Sequence, residues 1–188
     1  PNNFKWVFEG TKVLSYRHDL GRSTRFINLV NIGAIQKFVE KVLKFKNVDL
    51  ISLEAFDLIR IAEGVPRAGV DYSTENFPQE AALGNHISYN KGCYIGQEPH
   101  ARMYHRGHPN WILVRLTFQK DVNVKPGTEL YAEGESAGTL TSLSSILDEE
   151  VKKGIGMIRH QLSLRGTVLN LKEDSTILIR QDALTYQI

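Results

Sequence analysis

The sequence predicts an α+β protein, with a sheet-and-helix part followed by a small antiparallel β-barrel. Near the start of the chain, the local patterns follow a β-β-β-α order, which is typical of a sheet backed by helices. After residue 110, short strand patterns recur at nearly regular spacing. A chain of 188 residues, 41% of them hydrophobic and 23% charged, has the composition of a globular protein with one large or two small domains.

The start of the chain predicts three strands and a helix. Apolar, aromatic and β-branched residues favour strands over residues 4–8, 12–17 and 25–30. Asn31 is then a suitable cap for a helix over residues 32–45, where apolar side chains recur at helical spacing.

A second helix is predicted over residues 53–62. Ser52 precedes it as a suitable N-cap, and Glu54 lies in its first turn, where a negative charge is favourable. Gly64 ends this helix, and a short helical turn is expected near residues 79–83.

The last part of the chain predicts the barrel. We place a domain boundary near residues 107–110, which divides the chain into a first domain over 1–109 and a barrel over 110–188. The predicted strands cover residues 111–118, 130–132, 136–144, 152–160, 166–171 and 176–180.

Composition limits the classes of function. The net charge of +2 neither demands nor excludes an anionic partner. The single cysteine excludes an intrachain disulfide and a zinc site built on paired cysteines. No apolar run approaches the roughly 20 residues that span a bilayer, and the first residues do not resemble a signal peptide, so we expect no membrane partner.

The segment from Tyr89 to Gly107 contains the residues that best fit a functional loop. It contains Cys93 between Gly92 and Gly96, with Lys91 two residues earlier, and a nearby ammonium group favours the thiolate form of a cysteine. A short helix is expected to follow, with Glu98 and Pro99 in its first turn. Cys93 could be a nucleophile, a redox-sensitive thiol or one ligand of a shared iron–sulfur cluster. The alternative is a small buried apolar residue.

Three histidines lie in this segment or directly after it, but they do not predict a metal site. His100, His105 and His108 would need a helix to share a face, and Gly107 and Pro109 oppose one. These residues fit a polar, basic connector that could contact phosphate. Without a wider basic patch, nucleic acid is not predicted as a partner.

The run Lys91-Gly-Cys-Tyr-Ile-Gly-Gln-Glu98, with Ala101-Arg102 after it, resembles the signature of the YgfZ-type folate-binding proteins. These are relatives of the aminomethyltransferase, or T-protein, of the glycine cleavage system. Further similar segments are Arg60–Asp71, Phe77–Glu80, Gly138–Ser142 and Gly154–Gly156.

The resemblance covers roughly residues 55 to 160, and the residues that flank the loop look more like bacterial members of the family. Members are much longer than this chain. The resemblance therefore implies that the chain corresponds to their C-terminal part, without the N-terminal part that supplies some of the folate pocket.

The resemblance implies tetrahydrofolate as the ligand and no metal held by this chain alone. A pterin ring needs a carboxylate for its edge and an aromatic face to pack on, whereas the glutamate tail needs cations. Glu63 or Glu80 could supply the carboxylate, and Tyr94 or Tyr89 the face. The predicted binding residues are Arg60, Glu63, Lys91, Tyr94 and Arg102, with Cys93 as a functional thiol.

The leading functional hypothesis is tetrahydrofolate binding that supports the assembly or repair of iron–sulfur proteins. Its expected partners are folate and iron–sulfur assembly or client proteins, in the cytoplasm or, in a eukaryote, the mitochondrial matrix. One alternative is an aminomethyltransferase of one-carbon metabolism, which needs a catalytic carboxylate upstream of this chain. The other is a non-catalytic interaction module with Cys93 buried.

Overall fold

The structure, a computed structural model, describes residues 3–17, 24–144, 151–163, 168–171 and 180–183. It contains two compact units, Pro1–Asp57 and Leu58–Ile188. The predicted strand over 176–180 lies almost wholly outside the described residues, as do the first two residues of the strand over 166–171. The predicted domain boundary at residues 109 and 110 stays a prediction.

The first unit contains a three-stranded antiparallel sheet in the order β1-β2-β3. Its strands are β1 (Asn3–Phe8), β2 (Thr11–Arg17) and β3 (Phe26–Leu29), as the apolar patterns predict. Val13 and Phe8 are buried, and Phe8 lies at the end of β1, where a tight turn leads into β2.

The predicted helix at residues 32–45 is confirmed in a shorter form. A 3₁₀ turn over Ile32–Ala34 leads into α1 (Ile35–Val42), and Asn31 Oδ1 accepts a hydrogen bond from the Gly33 amide at 2.9 Å. The Phe38 ring of α1 lies 5.9 Å from the Trp6 ring and 5.4 Å from the Phe8 ring. This aromatic cluster holds α1 against β1.

The second predicted helix is also confirmed, as α2 (Leu53–Glu63). Ser52 Oγ caps it by accepting a hydrogen bond from the Ala55 amide at 3.1 Å. Hydrogen bonds from the Glu54 backbone amide and the Ser52 hydroxyl lower the pKa of the Glu54 carboxyl. The helix ends at Gly64, whose φ of 72° suits glycine.

A third helix, α3 (Gln97–Arg106), follows the cysteine loop and stops before Gly107. The second unit then forms a five-stranded antiparallel sheet in the order β5-β6-β7-β4-β8. Its strands are β4 (Trp111–Gln119), β5 (Glu129–Ala132), β6 (Glu135–Ser144), β7 (Val151–Arg159) and β8 (Arg180–Ala183).

The predicted α+β class is therefore confirmed, but the pairing recorded among the described residues does not close the second sheet into a barrel. An isolated bridge from Tyr131 to Asn170 extends the β5 edge. The predicted strand over 152–160 ends one residue early, where a 3₁₀ turn begins at His160.

Apolar clusters pack against both faces of β4 in the second sheet. On one face, Val114, Leu116 and Phe118 of β4 join the larger apolar core. On the other face, Leu113 packs with Ile61 of α2. This packing brings the end of α2 and the sheet together within the second unit.

Two glycines of β7 allow close packing against β6. A Cβ added at Gly154 would lie 2.9 Å from the Ser142 main-chain oxygen, and one at Gly156 would lie 3.1 Å from the Thr139 oxygen. In the described part of the chain, no helix is both long enough and apolar enough to cross a bilayer.

Candidate functional site

The turn from the cysteine loop into α3 is built by Gly96 and Gln97. Gly96 has a φ of 83°, which an L side chain rarely adopts, and it directly precedes the helix. Gln97 Oε1 accepts a hydrogen bond from the Tyr94 amide at 3.2 Å, which closes the loop back on the helix start. Glu98 lies in the first turn, as predicted, and complements the helix dipole.

The loop presents Cys93 at the surface as a free, exposed thiol. The alternative of a buried apolar cysteine is therefore wrong. Lys91, two residues before Cys93, and Tyr94, directly after it, form a pair in which the ammonium lies 4.5 Å from the ring centroid. Such cation–π contacts are worth about 0.5–1 kcal/mol at exposed sites. The structure thus brings together Lys91 and Tyr94 beside the thiol.

A chain of polar and aromatic contacts connects α3 to the turn that contains Gln79. His100 Nδ1 donates to Gln79 Oε1 at 3.0 Å, because an amide oxygen can only accept. Gln79 Nε2 donates to the Tyr89 hydroxyl at 3.2 Å, and the Tyr89 ring stacks on Tyr104 with 3.9 Å between centroids. The Phe77 ring meets His100 edge-on at 5.5 Å. These contacts orient α3 against the 77–80 turn.

A cavity of about 280 Å³, here named the α3 cavity, lies between that turn and α3. Glu80 is its buried carboxylate, with 7% of the residue exposed, and its Oε2 accepts a hydrogen bond from the Phe77 amide at 3.1 Å. Its main-chain oxygen accepts from the Leu113 amide at 2.9 Å, which fixes the turn to β4. The cavity is lined by Phe77, Glu80, Glu98, Pro99, Arg102, Met103, His108 and Asn110.

Arg60 lies in a buried ion-pair network and is only 3% exposed. Its Nη1 donates to Asp71 Oδ2 at 2.8 Å, and its Nη2 donates to Ser142 Oγ at 2.9 Å. The second Asp71 oxygen accepts hydrogen bonds from the Ser142 and Thr141 hydroxyls, each at 2.6 Å. The recorded contacts of Arg60 therefore connect α2 and the Asp71 turn to β6.

The structure thus distributes the predicted binding residues over three places: the α3 cavity, the cysteine loop, and the end of α2, which contains Arg60 and Glu63. Arg102 lines the α3 cavity, and Lys91 and Tyr94 form the loop pair beside Cys93. Glu63 is half-buried, and its main-chain oxygen accepts a hydrogen bond from Arg115 at 3.2 Å. Arg60, Glu63, Lys91 and Tyr94 do not line the α3 cavity, whereas Glu80, the other carboxylate predicted for the pterin, lines it together with Arg102.

Sequence reasoning missed the pairing of His108 with His160, whose rings stack with 3.9 Å between centroids and a 9° interplanar angle. No periodic signal could join them, because they come from the segment before β4 and the turn after β7. Burial and the neighbouring His108 lower the pKa of His160. The described residues include no group of three or more side chains that could hold a metal ion.

Comparison with known proteins identifies several relatives. The chain is 31% identical over 127 residues to a chloroplastic protein of Arabidopsis thaliana named as a transferase, covering 68% of this chain and 29% of the relative. It is 27% identical over 155 residues to the trimethylamine-oxide aldolase of Ruegeria pomeroyi, covering 80% and 19%. It is 32% identical over 101 residues to the tRNA-modifying protein YgfZ of Colwellia psychrerythraea, covering 53% and 30%.

A solved structure shares the fold. The aminomethyltransferase T of the glycine cleavage system from Bartonella henselae superimposes with a TM-score of 0.72 over 89% of this chain and 47% of that one, at 23% identity. The chain belongs to the superfamily of YgfZ and glycine cleavage T-proteins. No model of a protein family matches it.

The chain corresponds to only a part of each of its relatives in the YgfZ and T-protein superfamily. The chain spans between 19% and 30% of the length of the curated relatives described above. The names of those relatives describe a transferase, an aldolase and a tRNA-modifying protein, so superfamily membership does not by itself assign a reaction. One relative is a plant protein, and the resemblance to bacterial members therefore does not fix the source.

Proposed function

We propose that this protein binds tetrahydrofolate in the α3 cavity and, as a YgfZ-type protein, supports the assembly or repair of iron–sulfur proteins. The observation that carries the proposal is the convergence of a buried carboxylate and a guanidinium on one cavity, in a chain of a folate-binding superfamily.

The chemistry of the cavity fits the two ends of folate. Glu80 uses one oxygen for the Phe77 amide, and carboxylate lone pairs remain to accept from the amino and ring N–H groups of a pterin. Phe77 and Met103 supply apolar surface for the ring. Arg102 can pair with the glutamate tail, since a guanidinium binds carboxylates bidentately.

The size of the cavity limits what it encloses. Its volume of about 280 Å³ lies at the lower end of ligand pockets, which run from about 300 to 1,000 Å³. The cavity therefore encloses a bicyclic ring rather than a whole folate, and the tail extends past the exposed Arg102.

The test is a calorimetric titration of 5-formyltetrahydrofolate against wild type, Glu80→Gln and Arg102→Ala. We expect each variant to lose affinity by about tenfold, the value of one charge-assisted hydrogen bond. Glu75→Gln and Lys120→Gln change exposed side chains outside the α3 cavity and serve as matched controls. Thermal melts confirm that each variant is folded.

Comparing ligands with and without a glutamate tail tests the role of Arg102 separately from that of Glu80. Arg102→Ala should weaken a polyglutamylated folate more than a pterin without a tail, because the guanidinium is assigned to the tail. Equal losses for both ligands would contradict this assignment, and no folate affinity in wild type would reject the site. Lys91→Ala tests whether the loop cation also contributes.

The role in iron–sulfur protein assembly rests on the resemblance to YgfZ and on the exposed Cys93. Clusters usually take about four cysteine ligands, so this thiol would act with a partner protein. The test compares the activity of iron–sulfur enzymes in cells that lack the gene and in cells that carry wild type or Cys93→Ser. Full rescue by Cys93→Ser would show that the thiol is not needed for this role.

The second candidate is aminomethyl transfer, which the fold shared with an aminomethyltransferase favours. Tetrahydrofolate-dependent release of ammonia from an aminomethylated lipoyl carrier would support it. Cytoplasmic location stays a prediction, and one relative is named as chloroplastic.

A further inference from the structure

A second cavity, of about 260 Å³, lies where β4 begins and β7 ends. We name it the His108–His160 cavity. The described residues that line it supply one guanidinium, two imidazoles, two side-chain amides and an indole, and none of these residues has a carboxylate. The lining residues are His108, Asn110, Trp111, Arg159, His160 and Gln161.

The sheet register positions the cation of this cavity. Trp111 and Arg159 are directly opposite each other in the β4–β7 pair, and the guanidinium lies 5.8 Å from the indole centroid. The His160 amide donates to the Asn110 main-chain oxygen at 2.8 Å, which joins the turn after β7 to the segment before β4. Arg159, which supplies the positive charge of the cavity, thus lies on one of two paired strands rather than on a free loop.

We propose that the His108–His160 cavity binds a phosphate ester. Six donor-rich or aromatic side chains without a carboxylate suit a polyanion, and a guanidinium binds phosphate oxygens bidentately. The exposed amides of Asn110 and Gln161 add neutral donors. This cavity differs from the α3 cavity, with which it shares only His108 and Asn110, and the proposal does not rest on folate binding.

The stacked histidines make the affinity of this cavity dependent on pH. His108 Nδ1 donates to the Pro109 carbonyl at 2.9 Å, and the ring stacks on His160, whose pKa is lowered by burial and by His108. A second positive ring at 3.9 Å is unfavourable, and a bound dianion offsets that repulsion. The other charged groups that line the cavities around His108 are Arg159, Glu80, Glu98 and Arg102.

The experiment is a calorimetric titration of ribose 5-phosphate, with ribose as its uncharged counterpart. We expect binding of the phosphate and none of ribose. Arg159→Gln should weaken binding by about tenfold or more, the value of a charge-assisted hydrogen bond. Lys120→Gln removes an exposed cation outside the cavity and should leave the affinity unchanged.

Further measurements test whether the phosphate ester is a small molecule or a nucleic-acid backbone. A separate titration tests the dependence of the affinity on pH. A single-stranded oligonucleotide without terminal phosphates tests whether a nucleic-acid backbone supplies the phosphate, whereas binding of ribose 5-phosphate alone assigns a small ester. Sulfate, which stays a dianion from about pH 8 to about pH 5, should bind more tightly at the lower pH because His160 then takes up a proton.

Unchanged affinity in Arg159→Gln, equal binding of ribose and its phosphate, or no binding of any of these anions would overturn the proposal. Failure here is distinguishable from failure of the folate site. Arg159→Gln should leave folate affinity unaltered, and Glu80→Gln should leave the affinity for ribose 5-phosphate unaltered.

Discussion

At the scale of single residues, the sequence predicts that Cys93 is a functional thiol, and the structure shows that this thiol is exposed. Its thiol is exposed, and Lys91 is held two residues away over the Tyr94 ring. A free, exposed thiol in such a loop should react without unfolding.

We therefore expect iodoacetamide to modify Cys93 in native buffer. Lys91→Gln should slow the reaction by about two- to fivefold, the effect of an exposed charge pair. The measurement is the labelling rate by mass spectrometry, with Lys125→Gln as the control lysine outside the loop. A reaction that needs denaturant would contradict the exposed thiol.

The second residue-scale prediction concerns His160, whose pKa is lowered by burial and by His108. Because the folded state binds this proton less tightly than the unfolded state, stability is lost as pH falls through the ordinary histidine range and the lowered pKa. Wild type should show a falling urea midpoint between about pH 8 and about pH 5. His160→Asn should show a smaller fall.

His105→Asn is the matched control, since His105 lies on α3 and outside the His108–His160 cavity. His108→Asn should also reduce the pH dependence, because it removes the neighbouring charge that opposes protonation of His160. Identical pH profiles for wild type and His160→Asn would show that this ring does not contribute.

At the scale of elements, the start of α3 depends on the backbone of Gly96. Its φ of 83° is left-handed, and an added Cβ would meet nothing within 4 Å, so a substitution acts through conformation alone. Gly96→Ala should lower the free energy of unfolding by about 1–2 kcal/mol.

Gly92→Ala is a well-matched control for that change. Gly92 lies in the same loop with equally open space, and its φ is not left-handed. Guanidinium chloride unfolding measures both variants, and Gly92→Ala should be nearly neutral. Equal effects of the two substitutions would mean that the left-handed turn does not position α3.

At the scale of the whole molecule, the buried network of Arg60, Asp71 and Ser142 joins parts of the second unit that are far apart in sequence. Removing one member of a buried ion pair leaves an uncompensated charge, which costs about 3–5 kcal/mol. We expect Asp71→Ala to lose stability of this size, measured as the free energy of unfolding.

Two further variants test the origin of that loss. Asp121→Asn changes an exposed carboxylate in the turn after β4 and should stay within about 0.5 kcal/mol of wild type. The double change Arg60→Met with Asp71→Leu removes both charges and should recover part of the stability. No recovery would show that the loss comes from packing and hydroxyl contacts rather than from the unpaired guanidinium.

The sequence by itself determined the helices and strands that depend on interactions between neighbouring residues. Side-chain capping by Asn31 and Ser52, apolar periodicity and the glycines around Cys93 are properties of neighbouring residues, and they predicted α1, α2, the start of α3 and strands β4 to β7 to within a few residues. The loop signature also identified the superfamily, because its chemistry lies in one contiguous run.

Only the tertiary structure decided which of the chemically suitable residues meet. Arg60 and Asp71 both lie in the signature-like segment, yet burial against Ser142 of β6 makes them an internal pair, whereas Glu80 and Arg102 converge on a cavity. The stacking of His108 on His160 likewise depends on β4 pairing with β7. Such contacts arise from packing between distant segments, which carries no local periodic signal.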